Sequence, residues 1–94
     1  MGGEILRKLR QAVLNQRYAL TEHAYEEMDA DKLDVLDVEA AILTGRISET
    51  LTDDPRGPRF VVRGRACDQS TPVAVVARFV EGGNLLVITV YEIK

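Results

Sequence analysis

The stretch "DVLDVEAAILTGRISETL" (residues 34–51) contains the change of hydrophobic period that decides the fold. Its first part has apolar residues at helical spacing, and Asp34 and Asp37 stand three residues apart, as in a capping box. Gly45 is typical of the left-handed residue that closes a helix. Residues 46–52 then follow the two-residue period of a strand. We therefore predict a helix over 35–44 and a strand over 46–52.

Three further stretches downstream have the composition of strands, namely "RFVVRGR" (59–65), "PVAVVARFV" (72–80) and "NLLVITVYEI" (84–93). The stretch "DDPRGP" (53–58) predicts a loop because it contains two prolines and a glycine. By contrast, "EGG" (81–83) is short enough for a tight hairpin. This order predicts an α+β fold, with N-terminal helices packed on one face of an antiparallel sheet of about four strands.

Two helices are predicted upstream of this stretch. Residues 4–15 carry apolar side chains at spacings of three and four, which indicates one buried face. A second helix should run over 22–32, because Thr21 suits an N-cap and Glu22 places a negative charge in the first turn. Between these helices, "RYAL" (17–20) is too short to assign to an element.

The composition indicates an ordinary globular chain, with 46% hydrophobic and 29% charged residues. At this length we expect a single domain over 1–94, with 1–16 as an N-terminal helix and 17–94 as its core. Its first residues carry charges where a signal peptide has an apolar run, and no segment reaches the roughly 18 apolar residues that span a bilayer. The single cysteine, Cys67, has no partner for a disulfide. We therefore expect a cytoplasmic protein with no membrane partner.

The formal net charge of −3 argues against generic binding of nucleic acid, which depends on lysine and arginine. The charge is unevenly distributed, however: residues 1–20 sum to +3, residues 21–44 to −7 and residues 45–94 to +1. Because the acids are concentrated in one helical block, a basic surface can exist elsewhere.

Alternation along the last three strands sorts their side chains into two faces. The simplest assignment turns five polar residues away from the helices: Arg63, Arg65, Arg78, Thr89 and Tyr91. It also places Leu85 and Val87 on that face. Such a set suits binding and cleavage of an RNA phosphodiester, because cations stabilise the phosphorane. A polar outer face is equally typical of an open sheet without any ligand, since strand arginines also protect edges from aggregation.

His23 is the only histidine and falls in the first turn of the second predicted helix. The positive end of the helix dipole favours an imidazole that can act as a base, whereas the alternative is a half-buried ring with one structural hydrogen bond. With no second histidine, we expect no metal site and no cofactor. An Mg²⁺ site at Asp29, Asp31 and Asp34 is the alternative, although acidic helix ends are usually only solvated.

Five motifs, taken in order, resemble the family called domain of unknown function 4258. They are "TEHAYEEM" (21–28), "DVEAAILTGRISE" (37–49), "GPRFVVRG" (57–64), "TPVAVVARF" (71–79) and "LLVITVYE" (85–92). The family's signature positions fall on Thr21, His23, Ala24, Met28, Gly45, Glu49, Gly64, Thr89 and Tyr91. One departure concerns Glu27, which stands where the family usually has arginine.

Members of this family are often encoded like type II toxins, some beside a zinc-finger antitoxin, and their layout is similar to RelE-like and BrnT-like ribonucleases. The resemblance therefore implies a metal-independent endoribonuclease with RNA as substrate and an antitoxin as partner; a homo-oligomer is left open. In this hypothesis His23 is the general base or acid, Arg63 clamps phosphate and Tyr91 donates a proton or stacks on a base. The substrate would also be contacted by Arg65, Arg78 and Thr89.

The rival hypothesis is a non-enzymatic module that binds a protein partner through its sheet face or a strand edge. In that case His23 and Tyr91 would be structural, hydrogen-bonded to each other or to the backbone. An inactive toxin fold that survives as a binding partner is a third alternative.

Overall fold

Three α-helices and five strands make up the fold in the computed structural model, which describes residues 2–94; residue 1 of the predicted 1–16 segment lies outside them. In chain order the elements are α1 (Gly2–Leu14), β1 (Tyr18–Leu20), α2 (Glu22–Ala30), α3 (Val35–Thr44), β2 (Arg46–Leu51), β3 (Arg59–Arg65), β4 (Pro72–Phe79), a short 3-10 turn (Glu81–Gly83) and β5 (Leu85–Glu92). The prediction of an α+β fold is confirmed.

The helix starts agree with the capping residues read from the sequence. Thr21 Oγ1 accepts a hydrogen bond from Ala24 N at 3.1 Å. Asp34 and Asp37 form the predicted capping box, with reciprocal backbone to carboxylate bonds of 3.0 and 3.1 Å. These bonds satisfy amides that the first turn of a helix leaves without partners. Helix α2 ends two residues earlier than predicted, and Lys32 beyond it takes a positive φ of 59°.

Gly45 corrects the prediction of a left-handed helix end. Its φ is −92° and its ψ −174°, which is extended backbone. A Cβ at this position would lie 2.5 Å from the carbonyl oxygens of both Ala41 and Arg63, and a Cβ at Gly64 would collide with Ala41. The two glycines are therefore required because the end of α3 lies almost directly against β3, not because the backbone is left-handed.

The sheet has the order β1-β5-β4-β3-β2. Neighbouring strands are antiparallel except β1, which pairs parallel to β5. The prediction of about four antiparallel strands is therefore wrong, because the unassigned "RYAL" stretch supplies a three-residue fifth strand and makes the sheet mixed. The RelE-like details do not match exactly either, because strand β1 lies between α1 and α2 in the chain.

The helices cover one face of the sheet, called the inner face below, and the core lies between them. A bulge in β5 disturbs the predicted alternation: Val76 pairs with Thr89 but Ala77 pairs with Val87, which leaves Ile88 as the extra residue. Leu85 and Val87 therefore point into the core, contrary to the prediction. The bulge returns Thr89 to the opposite, outer face.

The helices of residues 2–94 are all too short or too polar to cross a membrane.

Candidate functional site: an arginine row on the outer face

One row of side chains crosses four strands on the outer face. Arg46 of β2 pairs with Arg63 of β3, Arg63 pairs with Ala74 of β4, and Ala74 pairs with Tyr91 of β5. Residues that pair directly across strands point to the same side of a sheet. We call these four residues the outer row.

The arginine end of the outer row lines a cleft of about 580 Å³. Its basic residues are Arg46, Arg63 and Arg65, and we call it the arginine cleft. The end of α3 forms one wall, where Thr44 Oγ1 accepts a hydrogen bond from Arg65 N at 3.0 Å. From α1, Arg10 donates through Nη2 to Gly45 O at 2.8 Å and so occupies a helix-end carbonyl beside the cleft. These bonds fix the cleft between a helix end and three strands.

The three cleft arginines have no acidic partner. Within residues 2–94, no carboxylate oxygen lies within 4.0 Å of their guanidinium nitrogens. Arg46 and Arg63 moreover stand directly opposite each other. Like charges in this position destabilise a sheet, so the structure alone gives no reason for the pair. An anion bound in the cleft would remove the repulsion.

Tyr91 and Arg63 flank the small residue in the middle of the outer row. Ala74 has no exposed surface although no helix covers it, because larger side chains stand on either side. The Tyr91 and Arg63 backbones lie two strand spacings, or about 10 Å, apart. At this distance both side chains can reach the space above Ala74. Tyr91 itself is 37% exposed. A group bound over Ala74 can therefore be contacted from both sides.

The other two predicted contact residues lie farther along the strands. Thr89 follows the bulge and pairs with Val76, one row away from Tyr91. Arg78 is four residues beyond Ala74, or about 13 Å along the strand, and pairs with Leu86. The structure thus brings Arg63, Arg65 and Tyr91 near one another, with Thr89 in the next row, and separates Arg78 from them.

His23 lies outside the arginine cleft, at the edge of the sheet. Its side chain is 63% exposed, and its Nε2 lies 3.3 Å from Glu27 Oε1. The same carboxylate oxygen accepts a hydrogen bond from Val90 N at 3.2 Å. Together these two distances place the imidazole within about 6.5 Å of the β5 backbone next to Thr89. The polar group next to this imidazole is thus the carboxylate of Glu27, and no hydrogen bond joins His23 to Tyr91 in the described part of the chain.

Glu27 is the residue whose role sequence reasoning missed. Beyond Val87, β5 has no neighbouring strand on the α2 side, and side chains of α2 occupy that edge instead. Glu27 accepts from Val90 N, and Asp31 accepts from Glu92 N at 2.8 Å. The signal was present in the sequence. Two acids four residues apart on a helix are separated along its axis by about the same distance as two amides two residues apart on a strand.

The model of the family "Domain of unknown function (DUF4258)" matches residues 20–92. The chain belongs to the DUF4258 family. No curated protein and no solved structure matches the chain. The DUF4258 segment contains the whole outer row, whereas α1 precedes it.

Within the DUF4258 segment, carboxylates between α2 and α3 serve the fold. Asp31 binds the β5 edge and Asp34 caps α3. Among the described residues no group of three or more histidine, cysteine, aspartate or glutamate side chains converges on one point. The cluster of Asp29, Asp31 and Asp34 considered for Mg²⁺ is therefore not assembled. The positive charge at the candidate site comes from arginine.

Proposed function

We propose that the chain binds the phosphate backbone of single-stranded RNA on its outer face and cleaves it as a toxin-type, metal-independent endoribonuclease. The observation that carries the proposal is the arginine cleft, whose three guanidinium groups have no carboxylate partner among residues 2–94 and two of whose arginines, Arg46 and Arg63, share a row with the exposed Tyr91. Phosphate oxygens accept bidentate hydrogen bonds from arginine, and a tyrosine can stack on a base.

The distribution of charge supports an anionic ligand on this face. The pairing register of the strands places five arginines on the outer face. Glu49 is the one strand acid that it places there. The acids of residues 21–44 lie instead on the helices of the inner side. A local positive field of this kind attracts a polyanion even though the formal net charge is −3.

The proposed reaction uses the RNA's own 2′-hydroxyl as the nucleophile. His23 Nδ1 takes the proton of that hydroxyl, since Nε2 lies on the side of Glu27, 3.3 Å from its Oε1. The 2′-oxygen attacks the phosphorus while Arg63 neutralises the phosphorane. The bond from phosphorus to the 5′-oxygen then breaks, and the 5′-oxygen takes a proton from Tyr91. The products are a 2′,3′-cyclic phosphate and a 5′-hydroxyl. His23 then gives the proton it has taken to water, and Tyr91 regains one from water.

This reaction requires the RNA to run across the strands, from the arginine cleft over Ala74 to the β5 edge. A strand on this path touches Arg63 and Tyr91 before it reaches His23. Arg63 then serves both binding and cleavage, whereas the imidazole of His23 and the hydroxyl of Tyr91 serve cleavage, so loss of cleavage can be tested with binding retained.

Binding is tested by fluorescence anisotropy of a labelled unstructured RNA over a range of salt concentrations. In single-stranded RNA each phosphate contact contributes about 0.7 to the slope of log K against log salt. Arg63→Ala should weaken binding and lower the slope by about that amount. The matched control is Arg7→Ala, which removes the same charge from the exposed side of α1. Equal affinity and equal slope for both variants would refute RNA binding on this face.

Cleavage is tested by gel analysis of the 3′ ends, since the reaction leaves a cyclic phosphate. His23→Ala and Tyr91→Phe should each reduce the rate by about 10²-fold or more, as expected for a general acid or base. Their RNA affinity should stay close to that of the unchanged protein. Binding without cleavage would leave RNA recognition in place and remove the nuclease assignment.

The toxin assignment rests on membership of the DUF4258 family and on the resemblance of that family to RelE-like and BrnT-like ribonucleases. In this setting an antitoxin protein would bind the chain and block the outer face. Growth arrest on expression, relieved by Arg63→Ala but not by Arg7→Ala, is the expected result. Undisturbed growth with the unchanged protein would contradict the toxin role.

A second candidate function is a non-enzymatic binding module. It is favoured by the 3.3 Å contact of His23 with Glu27, whose carboxylate also accepts a hydrogen bond from the β5 backbone. A structural histidine predicts that His23→Ala lowers the free energy of unfolding by about 1 kcal/mol. A catalytic histidine can usually be removed with no loss of stability, or with a gain. Chemical denaturation distinguishes the two.

A further inference from the structure

We propose that Arg10 of α1 is a positioning residue of the arginine cleft, which lets the cleft hold a phosphate group by cancelling the negative end of α3. The inference rests on the proposed function, because it requires an anion in the cleft, and it adds a residue that does not touch the ligand. Arg10 precedes residues 20–92, which the DUF4258 model matches. Helix α1 thus adds to the site a charge that the DUF4258 segment itself does not provide.

The C-terminal end of α3 borders the arginine cleft. Thr44, the last residue of the helix, and Gly45, its C-cap, both line the cleft. The last four carbonyls of a helix lack partners within it, and the helix dipole gives this end about half a negative charge. None of the 10 residues of α3 is a lysine or an arginine. Without a cation from another element, this end would therefore repel a phosphate group in the cleft.

Arg10 supplies that cation from α1. Its Nε donates to Ile42 O at 3.3 Å, and its Nη2 donates to Gly45 O at 2.8 Å. The side chain is partly buried, and within residues 2–94 no carboxylate oxygen lies within 4.0 Å of its guanidinium nitrogens. Its charge therefore acts on the end of α3 and not on an acid.

The two bonds reverse the sign of the charge at the helix end. One full positive charge placed on about half a negative charge leaves about half a positive charge beside the cleft. Arg10 does not itself line the cleft. Only Gly45 stands between its guanidinium and a ligand in the cleft, so the two lie within about one Debye length, roughly 8 Å at physiological ionic strength. The charge of Arg10 is therefore felt by the ligand without contact.

Two variants that keep a hydrogen-bond donor but differ in charge test this role. Arg10→Lys keeps the positive charge, whereas Arg10→Gln removes it and keeps an amide donor. Anisotropy with the labelled unstructured RNA should show an affinity about two- to five-fold lower for Arg10→Gln and nearly unchanged for Arg10→Lys. Arg7→Gln removes the same charge from the exposed side of α1 and is the matched control, which should bind as the unchanged protein does.

The salt dependence separates a positioning residue from a residue that contacts phosphate. Arg63→Ala should lower the slope of log K against log salt by about 0.7, because one phosphate contact is lost. Arg10→Gln should lower the affinity while the slope changes by less than about half that amount, because no phosphate contact is lost. A slope change as large as that of Arg63→Ala would make Arg10 a direct ligand of the RNA and overturn the inference.

A second cation at the same helix end should restore binding. Leu36 and Leu43 are both exposed and lie about two turns apart on one side of α3. In the Arg10→Gln background, Leu43→Lys places a cation in the last turn and should restore the affinity. Leu36→Lys places the same charge in the first turn and should not. Loss of packing around Arg10 alone would not be repaired by either lysine.

Affinities are compared under conditions in which circular dichroism shows each variant to be folded. If the unchanged protein does not bind the RNA, this inference and the proposed function fail together. If it binds, and Arg63→Ala weakens binding while Arg10→Lys and Arg10→Gln bind equally, this inference alone is overturned. Equal rescue by the two leucine variants would also overturn it, because total charge would then set the affinity. Should Arg10→Gln not fold, the leucine variants are made with Arg10 in place, where only Leu43→Lys should raise the affinity.

Discussion

The two faces of the sheet use their charged residues differently. On the inner side, acids of α2 and α3 serve the fold: Glu27 and Asp31 bond the β5 edge and Asp34 caps a helix. On the outer face, the arginines of the cleft have no such partners, and Arg46 stands opposite Arg63. Charges that stabilise a fold are hydrogen-bonded within it, and the arginines of the cleft make no ion pair of this kind among the described residues. Substitutions should therefore lower stability on one face and affect binding on the other.

The largest expected effect is at the contact between α3 and β3. Gly64→Ala would drive a methyl group into the Ala41 carbonyl and push the helix off the sheet. We expect a loss of about 3 kcal/mol or more in the free energy of unfolding, or no folded protein, as for overpacking against backbone. Chemical denaturation measures it. Gly3→Ala is the control, since nothing lies near that position, and it should be neutral or stabilising.

Removal of the edge bond on the inner side should have a smaller effect. Glu27→Ala leaves the partly buried Val90 amide without its acceptor, and we expect a loss of about 1–3 kcal/mol. Glu26→Ala, next to it but exposed, should change stability by less than about 0.5 kcal/mol. If the two variants unfold at the same denaturant concentration, α2 does not hold the β5 edge through Glu27.

Alkaline pH should weaken the fold through Tyr18. Burial, followed by the hydrogen bond and charge of Glu39, raises the pKa of Tyr18 from 10.0 to about 12. Because the folded pKa is the higher one, this stabilisation is complete below pH 10.0 and is lost as the pH rises toward about 12. Absorbance titration should show one of the three tyrosines ionising last. Tyr18→Phe should remove that last step; an unchanged titration curve would contradict the assignment.

The smallest effect on stability is expected on the outer face. Arg63→Ala removes the repulsion with Arg46 and does not break an ion pair. The free energy of unfolding should therefore change by less than about 0.5 kcal/mol or rise slightly. Thermal denaturation with and without added polyphosphate measures it. Polyphosphate should stabilise the unchanged protein more than the variant. A large loss in the variant without polyphosphate would mean that the arginine has a structural role.

Much of the fold could be predicted because it depends on neighbours in the chain. The cap at Thr21 and the capping box of Asp34 and Asp37 join residues three apart, so the sequence displays both partners. Strand β1 could not be predicted, since three residues carry no period and its stability comes from pairing with β5, far along the chain. The β5 bulge was missed for the same reason, because it is defined only by its register with β4.

The candidate site was predictable only in part. Alternation identified Arg63, Arg65 and Tyr91 as outward residues, but it overlooked Arg46, whose partner in the row is on another strand. The role of Glu27 depends on an edge amide that the sequence does not reveal. Arg78, grouped with Arg63 by residue type, lies farther along the sheet.

The sequence by itself determined the helices, four of the strands, the position of their caps and the segregation of charge, because period and composition are local properties. Only the tertiary structure decided that Gly45 and Gly64 allow close contact and that Arg46, Arg63 and Tyr91 share one row. It also decided that His23 stands at the sheet edge, 3.3 Å from the Glu27 carboxylate and outside the arginine cleft. These relations depend on strand order and register, which are set by pairing between distant segments.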